Sequence, residues 1–386
     1  MKRKIVVLFM VVMALVLAFT VFGCGSNETT QPTGTATKTP APTQAAAPDK
    51  IRIAMPTAAE HPLWTYWYIA MDQGYFAEEN LEVERVLVSG TPISVQFLLA
   101  GKAEMAWPSP AATINAYAAG YDLVSFYAVA NKFTFNIVAP ADGPITAWTA
   151  DQIRGKTIGI SSLTGGEVAM VKGAIANIGL EVGKDVFLKE IGDGSALTIS
   201  EIQNHRVDAY SSSKADTGKV RAAGIELRNI TPPGVDDFPF NTLITTRDYF
   251  DDNQDILIRH ARAITKAVFW TIANPKGAVD ICAKYAPEEV LGAEQATLDF
   301  ITVFYINPTV PKLGNLYGYQ LPESWDLYQQ YLLKAGSPDP EDPITFTEPI
   351  DSSKIIDNSL VRYALDFDLD QVKADAAAYQ IVRTQW

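Results

Sequence analysis

The stretch VERVLVSGTPISVQFLLAGKAEMA, residues 83–106, decides the fold because it has the layout of one strand–helix–strand unit. The strand pattern VERVLV ends at the turn Ser89-Gly90-Thr91-Pro92, and the helical segment ISVQFLLAG follows. A second strand then carries Glu104-Met105-Ala106. Strands that alternate with helices at this pitch are typical of parallel βαβ units.

A near-repeat of this unit appears about a hundred residues later. The strand VFLKEI ends at Gly192-Asp193-Gly194-Ser195, the helical segment ALTISEIQNH follows, and Val207-Asp208-Ala209 forms the next strand. The helix after each second strand also ends alike, in AYAAG at Gly120 and in VRAAG at Gly224. Two copies predict an α/β fold with two similar lobes, each a mostly parallel sheet flanked by helices.

The turns that follow the strands are candidate binding sites, because ligands of such sheets lie beyond the carboxyl ends of the strands. The turn after KTIGIS has hydroxyls and two glycines at a helix start, which suits a carboxylate, a sulfonate or a polar ring edge. Alternatively, Ser162 or Thr164 simply caps that helix. Candidate ligand-binding residues in these turns are Ser89, Gly90, Thr91, Trp107, Ser109, Ser162, Thr164, Gly165, Gly166, Tyr210 and Ser211.

The segment EHPLWTYWYIAMDQGYF, residues 60–76, concentrates aromatic rings at a helix entrance. Pro62 fits the first turn of that helix and Gly74 fits its end. We expect His61, Trp64 and Tyr68 to face a ligand, since they lie in the first two turns at the end of a strand. A helical period places another set on the opposite, core-facing side: Leu63, Trp67, Ala70 and Met71.

The N-terminal 50 residues predict export and anchoring. A basic start, Lys2 to Lys4, precedes an uncharged apolar stretch over residues 5–22, which is the layout of a secretory signal. Gly23-Cys24 resembles a bacterial lipoprotein box with Cys24 as the lipidated residue; an uncleaved anchor is the alternative. Residues 1–23 are then the signal peptide, and residues 24–49 a disordered tether rich in Thr, Pro and Ala.

Composition excludes several classes of function. The chain has 44 acidic and 31 basic residues, a net charge of −13, and removing the signal leaves 44 against 28, or −16. This balance argues against nucleic-acid binding. The three histidines lack ligand-like spacing, and Cys282 is left without an intrachain partner, so we expect neither a metal site nor a cofactor. Paired carboxylates such as Asp236-Asp237 are typical of solvated turns, which favours a non-enzyme.

Several segments, taken in order, resemble the solute-binding proteins for thiamine pyrimidine precursors, sulfonates, taurine and nitrate. These segments are HPLWTYWYIAMDQGYFAEENLEVERV, LLAGKAEMAWPSPA, IRGKTIGIS and VDAYSSS. The resemblance implies a two-lobed periplasmic-binding-protein fold of the type II-like flytrap kind, with the ligand in the cleft between the lobes. It implies a monomer on the extracytoplasmic face of the cell membrane that delivers its solute to the permease of an ABC importer.

The resemblance also suggests where the lobes meet. The first lobe is predicted to comprise residues 51–139 and about 242–386, including C-terminal helices, and the second about 143–235. Asn131 and Asn241 flank the predicted crossings and are either polar pocket groups or turn residues.

Aromatic walls with hydroxyl, amide and imidazole groups at their edges favour a planar solute. A thiamine pyrimidine precursor, a flavin-like ring or an aromatic acid fits this description. A sulfonate or taurine is the alternative. A third interpretation, a thiamine-pyrimidine biosynthetic enzyme, is disfavoured because such enzymes carry a cysteine cluster that this chain lacks. A structural or adhesive lipoprotein is a further alternative class.

Overall fold

The computed structural model describes residues 47–130, 133–303, 317–335 and 346–382. The predicted signal, Cys24, most of the tether and Asn131 lie outside these residues. The strands are β1 (Asp49–Met55), β2 (Leu81–Leu87), β3 (Met105–Ala106), β4 (Leu123–Ala128), β5 (Phe135–Pro140), β6 (Thr157–Ile160), β7 (Phe187–Glu190), β8 (Ala209–Ser213), β9 (Leu227–Asn229) and β10 (Thr242–Thr246).

Fifteen α-helical segments lie in the described part of the chain. They are α1 (Thr65–Asp72), α2 (Tyr75–Glu78), α3 (Thr91–Leu99), α4 (Pro110–Ala118), α5 (Ala150–Ile153), α6 (Val168–Asn177), α7 (Ala196–Gln203), α8 (Lys214–Ala222), α9 (Arg247–Asp252), α10 (Gln254–Ala273), α11 (Pro275–Tyr285), α12 (Pro287–Val290), α13 (Glu294–Ile301), α14 (Pro322–Ala335) and α15 (Leu369–Ala378). Within the described ranges, no helix is both long enough and apolar enough to cross a membrane.

The strands form two five-stranded sheets with the same topology. The first has the order β2-β1-β3-β10-β4 and the second the order β7-β6-β8-β5-β9. In each sheet the first three strands are parallel, and the fourth runs antiparallel to both of its neighbours. The two repeated units contribute β2–α3–β3 and β7–α7–β8 to equivalent places. The predicted α/β fold with two similar lobes is confirmed.

The first crossing between the lobes lies earlier than predicted. Strand β5 pairs with β8 and β9 of the second sheet, with Val138 opposite both Tyr210 and Asn229. The chain therefore leaves the first sheet between Ala128 and Phe135, rather than near residues 139–143. The apolar pattern of β5 predicts a strand but does not indicate which sheet that strand joins. The boundary between the lobes was therefore predicted too late in the chain.

The C-terminal region is shared between the lobes, which corrects its assignment to the first lobe alone. Helix α14 packs against α6 of the second lobe, where Trp325, Tyr328 and Leu332 join the apolar core. Helix α15 packs instead against α10 of the first lobe. Each C-terminal helix buries its apolar face against the lobe that lies next to it. The sequence of the helix does not indicate which lobe that is.

The aromatic segment that opens the first lobe folds nearly as expected. Pro62 begins a 3₁₀ turn, Pro62–Trp64, that leads directly into α1, and Gly74 follows with φ +78°. Helix α1 packs against α10 and α11. Met71, predicted to be core, is 37% exposed, and the buried residues of α1 end at Ala70.

Candidate functional site

Turns from both lobes meet at the carboxyl ends of the parallel strands. His61 follows β1, and its Nε2 lies 3.6 Å from Oδ1 of Asp216, which follows β8 in the other lobe. Gly90, after β2, lies against Thr164 after β6, so close that an added Cβ at Gly90 would be 3.0 Å from Thr164 Oγ1. The structure therefore brings together turns that lie 74 positions apart in the sequence for Gly90 and Thr164, and 155 for His61 and Asp216.

Three tryptophans form the first-lobe wall beneath these turns. Ring centroids of Trp64 and Trp107 are 5.0 Å apart, and those of Trp67 and Trp107 are 5.1 Å apart. All three are fully buried. The expectation that Trp64 and Trp107 line an open cleft while Trp67 alone is core is wrong for this conformation, because the three rings pack as one cluster.

Hydrogen bonds orient two of these rings. Trp64 Nε1 donates to Thr57 Oγ1 over 2.9 Å, and Trp107 Nε1 donates to the backbone oxygen of Asn241 over 2.9 Å. The Asn241 amide returns a bond to the Trp107 backbone oxygen over 3.1 Å, so Asn241 positions Trp107. Nε1 of Trp67 has no hydrogen-bond partner among the described residues. Trp64 and Trp107 stay predicted ring-binding residues.

His61 is held in a defined orientation by its own helix start. Its Nδ1 accepts a hydrogen bond from the Leu63 amide over 3.1 Å, so the neutral ring carries its proton on Nε2, which faces Asp216. The Tyr68 hydroxyl donates to Glu60 over 2.8 Å and accepts from the His61 amide over 3.0 Å. Burial, followed by the bond to Glu60, raises the pKa of Tyr68. Tyr68 therefore supports the His61 turn.

Asp216 is the residue that the sequence analysis missed. It is 3% exposed, and its Oδ2 accepts hydrogen bonds from Ser212 and Ser213 over 2.7 and 2.6 Å. Its Oδ1 has no hydrogen bond among the described residues, although Lys219 Nζ lies 3.5 Å away. Burial raises the pKa of Asp216, but the His61 imidazole and the Lys219 ammonium outweigh it and hold that pKa well below its usual range.

A helix-capping pattern in the sequence gave no indication that Asp216 belongs to the site. Ser213 caps α8 by accepting a bond from the Asp216 amide, so the segment Ser213-Lys214-Ala215-Asp216 reads as an ordinary capping pattern. Its place in the chain could have identified it, since Asp216 lies in the first helical turn after a parallel strand, where ligands of such sheets bind.

Glu167 places a second buried carboxyl group in this region. It is 1% exposed and accepts a hydrogen bond from the Ser161 amide over 2.8 Å. Burial raises the pKa of Glu167 to about 7, against the opposing effect of its bonds with Ser161, and Asp216 raises it further. Its carboxyl group accepts from both the amide and the hydroxyl of Ser161.

In the turn at residues 161–167, backbone amides already donate hydrogen bonds to carboxylates of the protein itself. The amides of Ser161 and Leu163 donate to the carboxylates of Glu167 and Glu190, and the Gly165 amide donates to the Ser162 carbonyl. Helix α6 has Glu167 at its N-cap position, so neither Ser162 nor Thr164 caps it and that alternative is wrong. A Cβ added at Gly165 would lie 2.4 Å from the Glu167 carboxylate. An acidic ligand group would meet this carboxyl group at the turn.

Of the other predicted site residues, some are exposed and some have side chains that already form hydrogen bonds within the protein. Ser89 is exposed beside Gly90, and Ser109 Oγ donates to Thr91 Oγ1 over 3.3 Å. Tyr210 and Ser211 donate to backbone oxygens of their own lobe, over 2.8 and 2.9 Å. The described residues contain no group of three or more His, Cys, Asp or Glu that could hold a metal ion.

The family model described as NMT1/THI5 like matches residues 61–278. The riboflavin-binding protein RibY of Chloroflexus aurantiacus is 21% identical over 94% of this chain and 98% of its own length. The formylaminopyrimidine-binding protein of Halalkalibacterium halodurans is 24% identical over 68% of this chain and 78% of its own length.

Solved structures share the fold. The periplasmic aliphatic sulphonate-binding protein SsuA from Escherichia coli superposes with a TM-score of 0.53 at 17% identity, covering 66% of this chain and 84% of that structure. The architecture is therefore that of the periplasmic binding proteins, as predicted.

Proposed function

This chain belongs to the NMT1/THI5-like family, and we propose that it is an extracytoplasmic solute-binding protein that delivers a small organic solute to an ABC importer. Two relatives that align with most of its length are named for the solutes they bind, riboflavin and formylaminopyrimidine. The two-lobed fold supports this role, because such lobes close around a solute like a hinge. The role is binding, with no catalytic step.

The solute is a planar heterocycle that carries a ring or exocyclic N–H donor. The observation that carries this proposal is Oδ1 of Asp216, an acceptor buried between the lobes without a hydrogen bond among the described residues. A buried carboxylate oxygen gains most from a donor on the ligand, because leaving it unpaired carries a desolvation penalty. Stacking of the solute on Trp64 or Trp107 would require a ring face that their mutual packing covers in this conformation.

Charge separates this solute class from the alternatives. A sulfonate, taurine or an aromatic acid would bring an anion next to Asp216 and Glu167, two buried acidic groups. Binding such an anion calls for arginine, lysine or several uncommitted amides, whereas the amides at residues 161, 163 and 165 already bond within the protein. We therefore propose a neutral heterocycle of the pyrimidine or isoalloxazine type rather than an acidic solute.

Calorimetric titration with three probes tests the proposal: riboflavin, a formylaminopyrimidine and the sulfonate MOPS. We expect one of the two heterocycles to bind and MOPS not to bind. Asp216→Asn should weaken that binding roughly 10- to 100-fold, since a hydrogen bond to a charged group contributes about 1.5–3 kcal/mol. Asp142→Asn removes an equal charge from an exposed position in the same lobe and serves as the control. Binding of MOPS alone would establish the anion alternative instead.

We propose that Cys24 carries a lipid that holds the protein at the outer face of the cell membrane. The support is the sequence layout, an apolar stretch over residues 5–22 that ends at Gly23-Cys24. Cys24→Ala should yield a protein that lacks lipid, is released from the membrane and keeps its solute affinity. Mass spectrometry of the N-terminal peptide checks this, and an unmodified Cys24 in membrane-bound wild type would contradict it.

A further inference from the structure

Lys219 stands between two carboxylates that come from different lobes. Its Nζ lies 3.5 Å from Asp216 Oδ1, one turn earlier in α8, and forms an ion pair with Glu289 of α12. The Lys219 side chain is only 13% exposed. A nearly buried ammonium needs such partners, because burial by itself favours the neutral amine.

The Lys219–Glu289 pair spans the two lobes. Helix α8 directly follows β8 of the second sheet. Helix α12 carries Val290, which packs in the apolar core of the first lobe next to Glu289 in sequence. His61 of the first lobe reaches the same helix at Asp216. Charged groups of the first lobe therefore contact the second lobe in consecutive turns of α8.

The Lys219 ammonium interacts with two carboxylates, those of Asp216 and Glu289. Burial lowers the pKa of Lys219, but the Asp216 and Glu289 carboxylates outweigh it, so that the net pKa is raised and the ammonium persists. Because Glu289 holds Nζ in the ion pair, the ammonium stays beside Asp216 without forming a hydrogen bond to Oδ1. An ammonium released from Glu289 would have its nearest remaining carboxylate at Asp216.

We propose that Glu289 is a positioning residue which, through Lys219, latches the two lobes in the closed form and fixes the ammonium beside Asp216. The match to the family model ends at residue 278, so Glu289 lies outside the matched segment. The latch rests on the proposed function, because it lies beside Asp216, the carboxylate to which the solute would bind. Closure itself is measurable without any solute.

Spin-label distances in the solute-free protein test the latch. In a Cys24→Ala background, labels on cysteines introduced at Lys102 and Lys184 report the separation of the lobes. Both positions are exposed, in the first and second lobes, and the native Cys282 is buried. Glu289→Gln should lower the closed population roughly fivefold, with a new population at altered distance. Glu288→Gln, an exposed glutamate in the same helix, should leave the distances unchanged. Identical distances in Glu289→Gln and wild type would overturn the proposal.

A double-mutant cycle tests the route through Lys219. In a Lys219→Met background, Glu289→Gln should cause no further opening, because its partner is gone. An equal shift in both backgrounds would refute that route. Calorimetric titration with riboflavin and with the formylaminopyrimidine gives the separate readout: if wild type binds neither, the proposed solute class fails while the distances still decide the latch.

Discussion

At the residue scale, the two buried acids of the second lobe behave differently because their surroundings differ. Asp216 is close to two cationic or proton-donating groups, His61 and Lys219, and stays ionised. Glu167 has hydroxyl and amide partners and the neighbouring charge of Asp216, and its pKa is raised to about 7. One group therefore supplies a fixed charge and the other responds to pH.

Replacing Glu167 should change how stability depends on pH. Its folded-state pKa, about 7, exceeds the ordinary value of 4.5, so the folded state holds the proton more tightly. The resulting stabilisation is complete below pH 4.5 and is lost as pH rises through 7, a total of roughly 3 kcal/mol. We expect Glu167→Gln to flatten the loss of stability between pH 5 and pH 8.

Urea unfolding at several pH values measures this effect. The control is Glu190→Gln, which alters an exposed glutamate that bonds to the same turn. An unchanged pH dependence in Glu167→Gln would show that the carboxyl group is ionised in the folded protein at pH 5.

The tryptophan cluster gives a second prediction at this scale. Trp64 is fully buried and hydrogen bonded to Thr57, so Trp64→Ala should destabilise the fold by about 3–5 kcal/mol, as large-to-small changes in cores do. Trp67→Ala should cost a similar amount, and Trp64→Phe less because a ring remains. Chemical denaturation provides the measurement. Full stability in Trp64→Ala would mean that the ring lines an open cleft after all.

At the element scale, the outer edge of β4 is covered by C-terminal chain. Every residue of β4 is buried, although β4 is the last strand of its sheet. Backbone bonds join Ala128 to Gly318 over 2.8 Å and Ser125 to Ile355 over 2.7 Å. The Gln320 side chain also bonds to Ser125. An exposed strand edge invites association with other chains, and these segments remove that edge.

Gly318 should be the most sensitive point of this cover. It has φ +92°, and an added Cβ would lie 2.1 Å from the ring of Tyr127, which is buried. Gly120 has φ +94° with nothing within 4 Å of its added Cβ, so it isolates the cost of the backbone conformation. We expect Gly120→Ala to cost about 1–2 kcal/mol and Gly318→Ala about 1–3 kcal/mol more, measured by thermal or urea unfolding. Equal costs would mean that Tyr127 moves freely aside.

At the scale of the whole molecule, the C-terminal region connects the lobes in addition to the two crossings of the chain. Segments 317–320 and 355–358 bond to the first lobe, whereas Trp325 and Tyr328 pack in the core of the second. Motion between the lobes must therefore bend these connections together with the crossings. We expect a limited, hinge-like closure rather than free rotation of one lobe.

Solution scattering tests closure. Saturating the protein with whichever heterocycle binds should reduce the radius of gyration relative to the solute-free protein. Asp216→Asn at the same concentration of that probe should show a smaller change, because its affinity is lower. Superimposable curves with and without bound solute would indicate a rigid binder.

Local sequence by itself determined the elements and the paired units of each lobe. The segments β2–α3–β3 and β7–α7–β8 are contiguous, so hydrophobic periodicity and turn residues specify them without distant partners. It also indicated which turns lie at one edge of each sheet, since the carboxyl ends of parallel strands share that edge.

Tertiary structure alone decided the contacts between distant segments. It placed β5 in the second sheet, buried Trp64 with its neighbours, and set Asp216 opposite His61, 155 positions away in the chain. It likewise divided the C-terminal helices between the lobes. The physical reason is that burial and charge pairing depend on what packs against a residue, and periodicity describes only the face on which that residue lies.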